Sequence, residues 1–429
     1  MPVNPAQPEL PPKRLLLLFP AQSYRVAAYA EAARRLGLDL VLGTDLPGAF
    51  ARYGLPMVTV DFRRPESGAA SIETAARGTS LDGIVPTNES SAVVAALAAE
   101  RLGLPHAAAS AAYAARNKRR MREIFAEAGV PSPRAIALGP NDDPQELLCD
   151  VVFPCVVKPT MLTGSQGVIR ADDPAGLLAA VRRVRAILAQ HGSDASSDPD
   201  FYHLLVEDYL PGREVAVEGT VTRGELTVLA LFDKPDDLVG PYFEETLYVT
   251  PSRLPAPSQA AVINVAARAA RALGLSHGPV HAELRVDGPR VAVVEIAARS
   301  IGGLCSRAFE QVTGSLEDIV LSHAAGLSAP HRVSTGAAAG VMMMPIPRSG
   351  VLRKVTGIEA ARAIAGIEEV RVAISPGDSI RALPEGASYL GFIFARGTSP
   401  GEVERTLRAS FAELRFELSP LLELLPKGV

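Results

Sequence analysis

Two short apolar runs, 280–286 and 291–296, flank the turn residues Asp287, Gly288 and Pro289, and they constrain the chain more than any other stretch. The pattern predicts a β-hairpin leading into a glycine-containing helix start at Gly302 and Gly303. Each strand carries one acid, Glu283 and Glu295. If the connection is the three residues Gly288 to Arg290, antiparallel pairing sets the two acids directly opposite each other on one face. Like charges that close repel, so the arrangement requires a cation between them or a proton on one. A hard divalent ion such as Mg2+, which takes carboxylate and substrate phosphate oxygens, meets that requirement. A two-residue turn instead sends the acids to opposite faces, and a surface hairpin with solvated acids is the competing reading.

At 429 residues the chain exceeds one ordinary core, so two or three domains are expected. Its net charge of −4, with no strongly basic region, gives no footing for nucleic acid as a partner. Cys149, Cys155 and Cys305 are odd in number and lack metal-ligand spacing, which fits core thiols in a reducing compartment. The short apolar run before Pro20 is a poor signal peptide and no membrane span, so a cytoplasmic protein without a membrane partner is expected.

Three segments follow from the periodicities. Over 1–115 strands at 14–19, 38–42, 57–60 and 83–86 alternate with helices at 26–36 and 93–101, a parallel α/β unit. It has neither GxGxxG nor GxxxxGK, which argues against a dinucleotide or P-loop site there. Over 116–328 a helix at 117–128 precedes a strand at 151–157, a Thr/Ser/Gly loop, a helix at 175–190 and a polar loop at 191–199 expected to be mobile. A β pattern over 204–231 and an alanine-rich helix at 260–273 then lead into the hairpin. Over 329–429 strands and helices mix in what reads as a small α+β domain.

Chemistry concentrates in the middle segment. Lys158 ends an apolar strand before the small residues Gly164, Ser165, Gln166 and Gly167, where charge and close backbone approach suit a phosphate. A lysine snorkelling before a surface turn is the commoner reading of a single lysine such as Lys158, and Lys118 shares that ambiguity in its basic run. The stretch VEDYL, Glu207 to Leu210 within it, runs into Pro211-Gly212 and a strand with Glu214, Ala216 and Glu218 on one face. Arg299 stands between the second acid and the Gly-Gly pair, where its planar fork suits a carboxylate or a transferring phosphate.

Taken in order, NKRRMREIFAEAGVPSP, VVKP, the small-residue loop, LVEDYLPGREV, VHAELRV and VEIAARSIGG resemble the ATP-grasp superfamily, and within it the carboxylate-amine ligases. The resemblance implies an ATP-grasp fold at 116–328, with a lid at about 133–202, between a Rossmann-like domain at 1–115 and a biotin-carboxylase-like α+β domain at 329–429. It implies that Lys118 and Lys158 bind ATP phosphates under the loop of Gly164, Ser165, Gln166 and Gly167. Glu207 and Leu210 would contact adenine through the backbone, and Glu214 would hold the ribose. Glu283 and Glu295 would ligate Mg2+, with Mn2+ as an alternative, and Arg299 would hold an acyl phosphate. His281, Ser300, Gly302, Gly303 and Glu244 fall in the expected acceptor pocket. Many relatives have Asn where this chain has Ala297, the residue that the same register sets opposite His281.

The implied activity is ATP-dependent joining of a small carboxylate to an amine through an acyl phosphate, as in dipeptide-forming L-amino acid ligases, with a homodimer suggested by the family. A biotin carboxylase acting on bicarbonate is the rival enzyme, and an ATP-binding regulatory protein without catalysis the rival of another class. The chain lacks a Met-Lys-Met carrier motif. Both acids and Arg299 are present.

Overall fold

The computed structural model describes residues 12–192, 198–328 and 336–421. Residues 193–197 of the polar loop and the expected boundary at 329 lie outside the described residues. The chain forms two compact units. Residues up to His106 with a stretch from Glu317 make one, and Ala107–Leu316 with the C-terminal part make the other.

In the first unit β1 (Arg14–Leu18), β2 (Asp39–Thr44), β3 (Met57–Thr59) and β4 (Gly83–Pro86) form a parallel sheet in the order β3-β2-β1-β4. The leucines of β1 are all buried, as a central parallel strand demands. Helices α1 (Val26–Leu36), α2 (Pro65–Ala76) and α3 (Glu89–Leu102) pack on it. Helix α1 stops where Gly37 turns left-handed and its N–H caps Ala33 and Arg34. The sequence reading has no helix at 65–76, because PESGAASIETAA offers one large apolar residue, Ile72, to mark a buried face.

The second unit begins with α4 (Ala109–Arg116) and α5 (Lys118–Glu127). Strands β5 (Ala135–Leu138), β6 (Cys155–Pro159), β7 (Ile169–Ala171) and β8 (Leu204–Asp208) form an antiparallel sheet in the order β5-β8-β6-β7. Helix α6 (Pro174–Ala189) covers it through Leu177, Val181 and Val184, which makes the expected lid a structure with its own core. The remaining strands are β9 (Arg213–Thr222), β10 (Glu225–Lys234), β11 (Leu247–Thr250), β12 (His277–Asp287), β13 (Arg290–Ala297), β14 (Ala338–Met344), β15 (Gly350–Thr356), β16 (Ile367–Val372), β17 (Ser379–Ile380), β18 (Gly391–Gly397) and β19 (Arg415–Ser419). Helix α7 (Ala256–Leu273) packs on β10, β12 and β13, while α8 (Cys305–Thr313) packs on β11 and β14. Helix α9 (Leu316–Ala324) supplies the late stretch of the first unit, where the Ala324 carbonyl lies 2.4 Å from the place a Gly83 Cβ would occupy. Helices α10 (Ile358–Ala363) and α11 (Pro400–Glu413) complete the described set.

One sheet of eight strands, β13-β12-β9-β10-β11-β14-β18-β16, runs through this unit. Of the strands in the segment expected to form a small domain, β14, β18 and β16 extend this sheet, while β17, β15 and β19 form a three-stranded sheet of their own in that order. Their core joins Leu247 and Val249 of β11 to Met342, Ile393 and Leu407. Among the described residues no helix is long and apolar enough to cross a membrane. Cys155 and Cys305 are buried thiols, whereas Cys149, expected in the core, is exposed.

Candidate active site

Three rows of side chains cross one face of the large sheet, set by strand register. The first is Lys234, Glu214 and Arg285 on β10, β9 and β12. The second carries Ala216, Glu283 and Glu295 on β9, β12 and β13, and the third Glu218, His281 and Ala297. The two acids of the hairpin do face each other, by a route the sequence reading did not foresee. Asp287 pairs with Arg290, so the turn holds only Gly288 and Pro289, and a regular hairpin would have set Glu283 opposite Val294. An extra residue, Val294, bulges between the pairs Leu284–Val293 and Glu283–Glu295 and restores the facing acids. Arg122 pins the bulge by donating to the Val294 carbonyl at 2.6 Å, and the Val293 N–H donates to the Pro131 carbonyl at 2.8 Å.

Each hairpin acid has a lysine beside it. Lys118 Nζ lies 3.2 Å from Glu295, and Lys234 Nζ lies 3.6 Å from Glu283. Lys118 opens α5 after the cap residue Asn117, whose side chain accepts from the Arg119 and Arg120 N–H groups. Its backbone donates to Thr160 and its ammonium to the Leu162 carbonyl, both at 2.9 Å, which ties the helix start to the loop after β6. Lys158 is buried 2.6 Å from Glu207, which also takes Arg122 Nε at 2.8 Å. Burial pushes the Lys158 ammonium down to about 8 while Glu207 pulls the other way. Glu207 is held below the usual carboxylate range by its two cations against the cost of burial.

Glu214 is equally committed. One oxygen takes Lys234 and the other takes Arg285 Nε at 2.8 Å. Lys234 continues to Glu245 at 2.9 Å, lies over the Tyr248 ring, and is raised well above its ordinary value by these acids, although burial opposes it. His281 lies between two acids, with Nδ1 3.3 Å from Glu218 and Nε2 3.4 Å from Glu283. Glu218 accepts from the Ile301 N–H at 3.0 Å, fixing the chain just past Arg299 and the buried Ser300. Arg299 donates to the Ser300 carbonyl at 3.1 Å and lies near enough to Glu283 to favour its ionised form. Gly303 has a left-handed φ of 59°, with the Met343 sulfur 2.4 Å from a Cβ position. The helix of the Gly-Gly segment starts at Cys305. Glu244, half-buried, accepts from the Ile346 N–H at 3.1 Å, and burial pushes its carboxyl up. Leu210 follows β8, half-buried. Gly164, Ser165 and Gly167 all adopt left-handed backbone, with φ of 62°, 57° and 73°.

Residues 30–106 match the ATP-grasp N-terminal domain, 151–308 the ATP-grasp domain and 342–419 the L-amino acid ligase C-terminal domain 2. The chain is an ATP-grasp protein. The L-amino acid ligase from Bacillus licheniformis shares the fold with a TM-score of 0.82 and 26% identity, over 96% of this chain and 100% of that one. Alanine–anticapsin ligase of Bacillus subtilis is 30% identical over 237 residues, 52% of this chain and 49% of that protein. Carnosine synthase 1 of Gallus gallus is 30% identical over 315 residues, 68% of this chain and 33% of that protein. The matched region thus spans about half the length of the first of these curated relatives and a third of the second.

In this ATP-grasp protein the donor set fits a small divalent cation. Glu283 and Glu295 face each other on adjacent strands, and Glu214, Glu245 and Glu283 bring carboxylate oxygens within 4.8 Å of one another around Lys234. Burial, Glu214 and Glu295 push the Glu283 carboxyl up although Lys234 opposes them, and added positive charge would relieve that. Ala297 contributes no ligand atom. Lys234, Arg122, Arg285, Glu218 and Glu245 have no part in the sequence reading of the metal and phosphate site. For Lys234 the only signal was an Asp-Lys-Pro at the end of an apolar strand.

Proposed function

We propose that this protein is an ATP-dependent carboxylate-amine ligase, and most directly an L-amino acid ligase that joins two amino acids. The observation that carries the reading is the pair of facing acids with Lys118 and Lys234 against them and Lys158 buried nearby, a charge pattern suited to a nucleoside triphosphate. A carboxylate oxygen attacks the γ-phosphorus, the bond to the bridging oxygen breaks, and ADP leaves an acyl phosphate. The amine nitrogen then attacks the acyl carbon, the carbon–oxygen bond breaks, and phosphate departs as the nitrogen loses a proton. Lys118 and Lys158 draw the phosphates into place, which is mainly positioning and charge neutralisation. Arg299 holds the acyl phosphate, and the loop of Gly164, Ser165, Gln166 and Gly167 keeps water from it. Mg2+ or Mn2+ held by Glu283 and Glu295 supplies neutralisation of phosphate oxygens.

Adenine contacts fall to the backbone at Glu207 and Leu210, since the Glu207 side chain is spent on Arg122 and Lys158. Glu214 accepts one cation on each oxygen and is assigned a ribose hydroxyl as a further donor. Acceptor recognition is assigned to His281, Ser300, Gly302, Gly303 and Glu244. The test is release of ADP and phosphate with Mg-ATP against single and paired amino acids, with products weighed by mass spectrometry. Release that requires a pair and yields a conjugate lighter than the pair by one water is the expected result. Release with bicarbonate alone, or with no pair, overturns the amino-acid reading.

A further inference from the structure

The phosphate loop is fastened from the far end of the chain. The Gly167 N–H donates to the Pro384 carbonyl at 2.9 Å, and Gln166 Nε2 donates to the Glu385 carbonyl at 2.8 Å. From α6, Arg183 reaches both Glu385 oxygens, at 2.7 and 3.1 Å, and also meets the Tyr242 hydroxyl. Arg381 donates to the Gln190 side chain at 2.6 Å. The Cβ position of Gly164 lies 3.5 Å from the Ala387 side chain. Five separate points therefore join 164–190 to 381–387, and the latter segment is folded tightly enough that a Cβ on Gly386 would stand 1.9 Å from the Arg381 carbonyl oxygen.

A second fastening works beside it. The Arg170 N–H donates to the Pro241 carbonyl at 2.9 Å, and its guanidinium donates to the Val239 carbonyl at 2.7 Å. This one joins the lid to the β10–β11 connection, which carries Glu244 and Glu245 next to Lys234. The 381–387 segment leads on to Tyr389, which is close enough to Glu245 and Lys234 to feel both charges.

We propose that 381–387 is a positioning strap for the phosphate loop, with Glu385 as its polar clasp, so that the C-terminal strands take part in nucleotide binding without touching the nucleotide. Gly164, Ser165 and Gly167 sit in left-handed conformations that an unsupported loop samples only in part. Holding that arrangement beforehand lowers the entropy lost when phosphates bind. The strap acts through Gln166, Gly167 and Arg183, and its assignment to ATP rests on the ligase reading above.

The experiment compares wild type, Glu385→Arg, Gly386→Ala and the charge-swapped Arg183→Glu/Glu385→Arg protein, all as full chains. Amide hydrogen exchange without nucleotide reads the loop itself, and titration with a non-hydrolysable Mg-ATP analogue reads its use. Glu385→Arg and Gly386→Ala are expected to speed exchange at 163–170 while leaving the parallel sheet of 14–86 unchanged. They should weaken the analogue about two- to fivefold, the range a partly exposed ion pair commands. The swapped protein should recover most of both losses. Unchanged exchange at 163–170 in Glu385→Arg, or a swap that restores neither quantity, overturns the strap. A wild type that binds no analogue counts against the ATP reading alone, because the exchange comparison stands without nucleotide.

Discussion

Lys158 is a buried ammonium whose partner, Glu207, must also satisfy Arg122. Its charged form attracts phosphate, so ATP-analogue affinity should be full below about pH 8 and fall as the pH rises through that value. Lys158→Arg, which stays charged, should lose this dependence, and titration calorimetry at a series of pH values checks both. A wild-type affinity that stays level across the same range would remove Lys158 from phosphate binding. Folding stability carries the opposite sign. Burial disfavours the protonated folded form, so the penalty is present below about 8 and disappears as pH climbs toward 10.5. Glu283 and Glu295 stood out in the sequence by strand alternation around the turn, whereas Lys118 and Lys158 each also read as a solvated lysine until the resemblance to the ATP-grasp superfamily singled them out. Arg122, Lys234 and Arg285 were not legible, because what defines them is a partner far along the chain. Arg122 reaches Val294 across 172 positions and Arg285 reaches Glu214 across 71.

The hairpin β12–β13 decides where Glu295 points. Counting residues across a two-residue turn places the acids on opposite faces, and only the extra residue Val294 brings them together. Deleting Val294 should therefore give a more regular hairpin with Glu295 turned away from Glu283. The expected outcome is loss of Mn2+ binding, followed by electron paramagnetic resonance, in a protein whose circular dichroism stays close to wild type. Mn2+ affinity kept at the wild-type level would show that facing acids are not the metal site. Bulges leave little trace in composition, so the sequence supplied the hairpin and its acids, while the register came from Arg122 and Pro131 holding β13 from outside. Helix α2 was missed for want of large apolar residues, and strand β11 for a simpler reason. LYVT is four buried residues without alternation, readable as a strand only once β10 and β14 flank it.

At the level of the whole chain, the large sheet joins segments that the sequence divided into two domains. Strand β11 pairs with β14 along Leu247 to Thr250, and β18 and β16 follow outward. Ending the chain after Leu327 would bare the β11 edge and the apolar faces of Leu247 and Val249. That truncated protein should aggregate or bind a hydrophobic dye strongly, and size-exclusion chromatography would show it. A monomer that unfolds cooperatively would mean the C-terminal strands are dispensable to this core. The shared sheet also has a consequence for biosynthesis. A ribosome releases α5, β6 and β9 to β13, which between them carry Lys118, Lys158, Lys234, Glu283 and Glu295, well before β14, β16 and β18 emerge. The growing chain therefore carries a finished constellation on an unfinished sheet, and this edge is where a nascent-chain chaperone has most reason to wait.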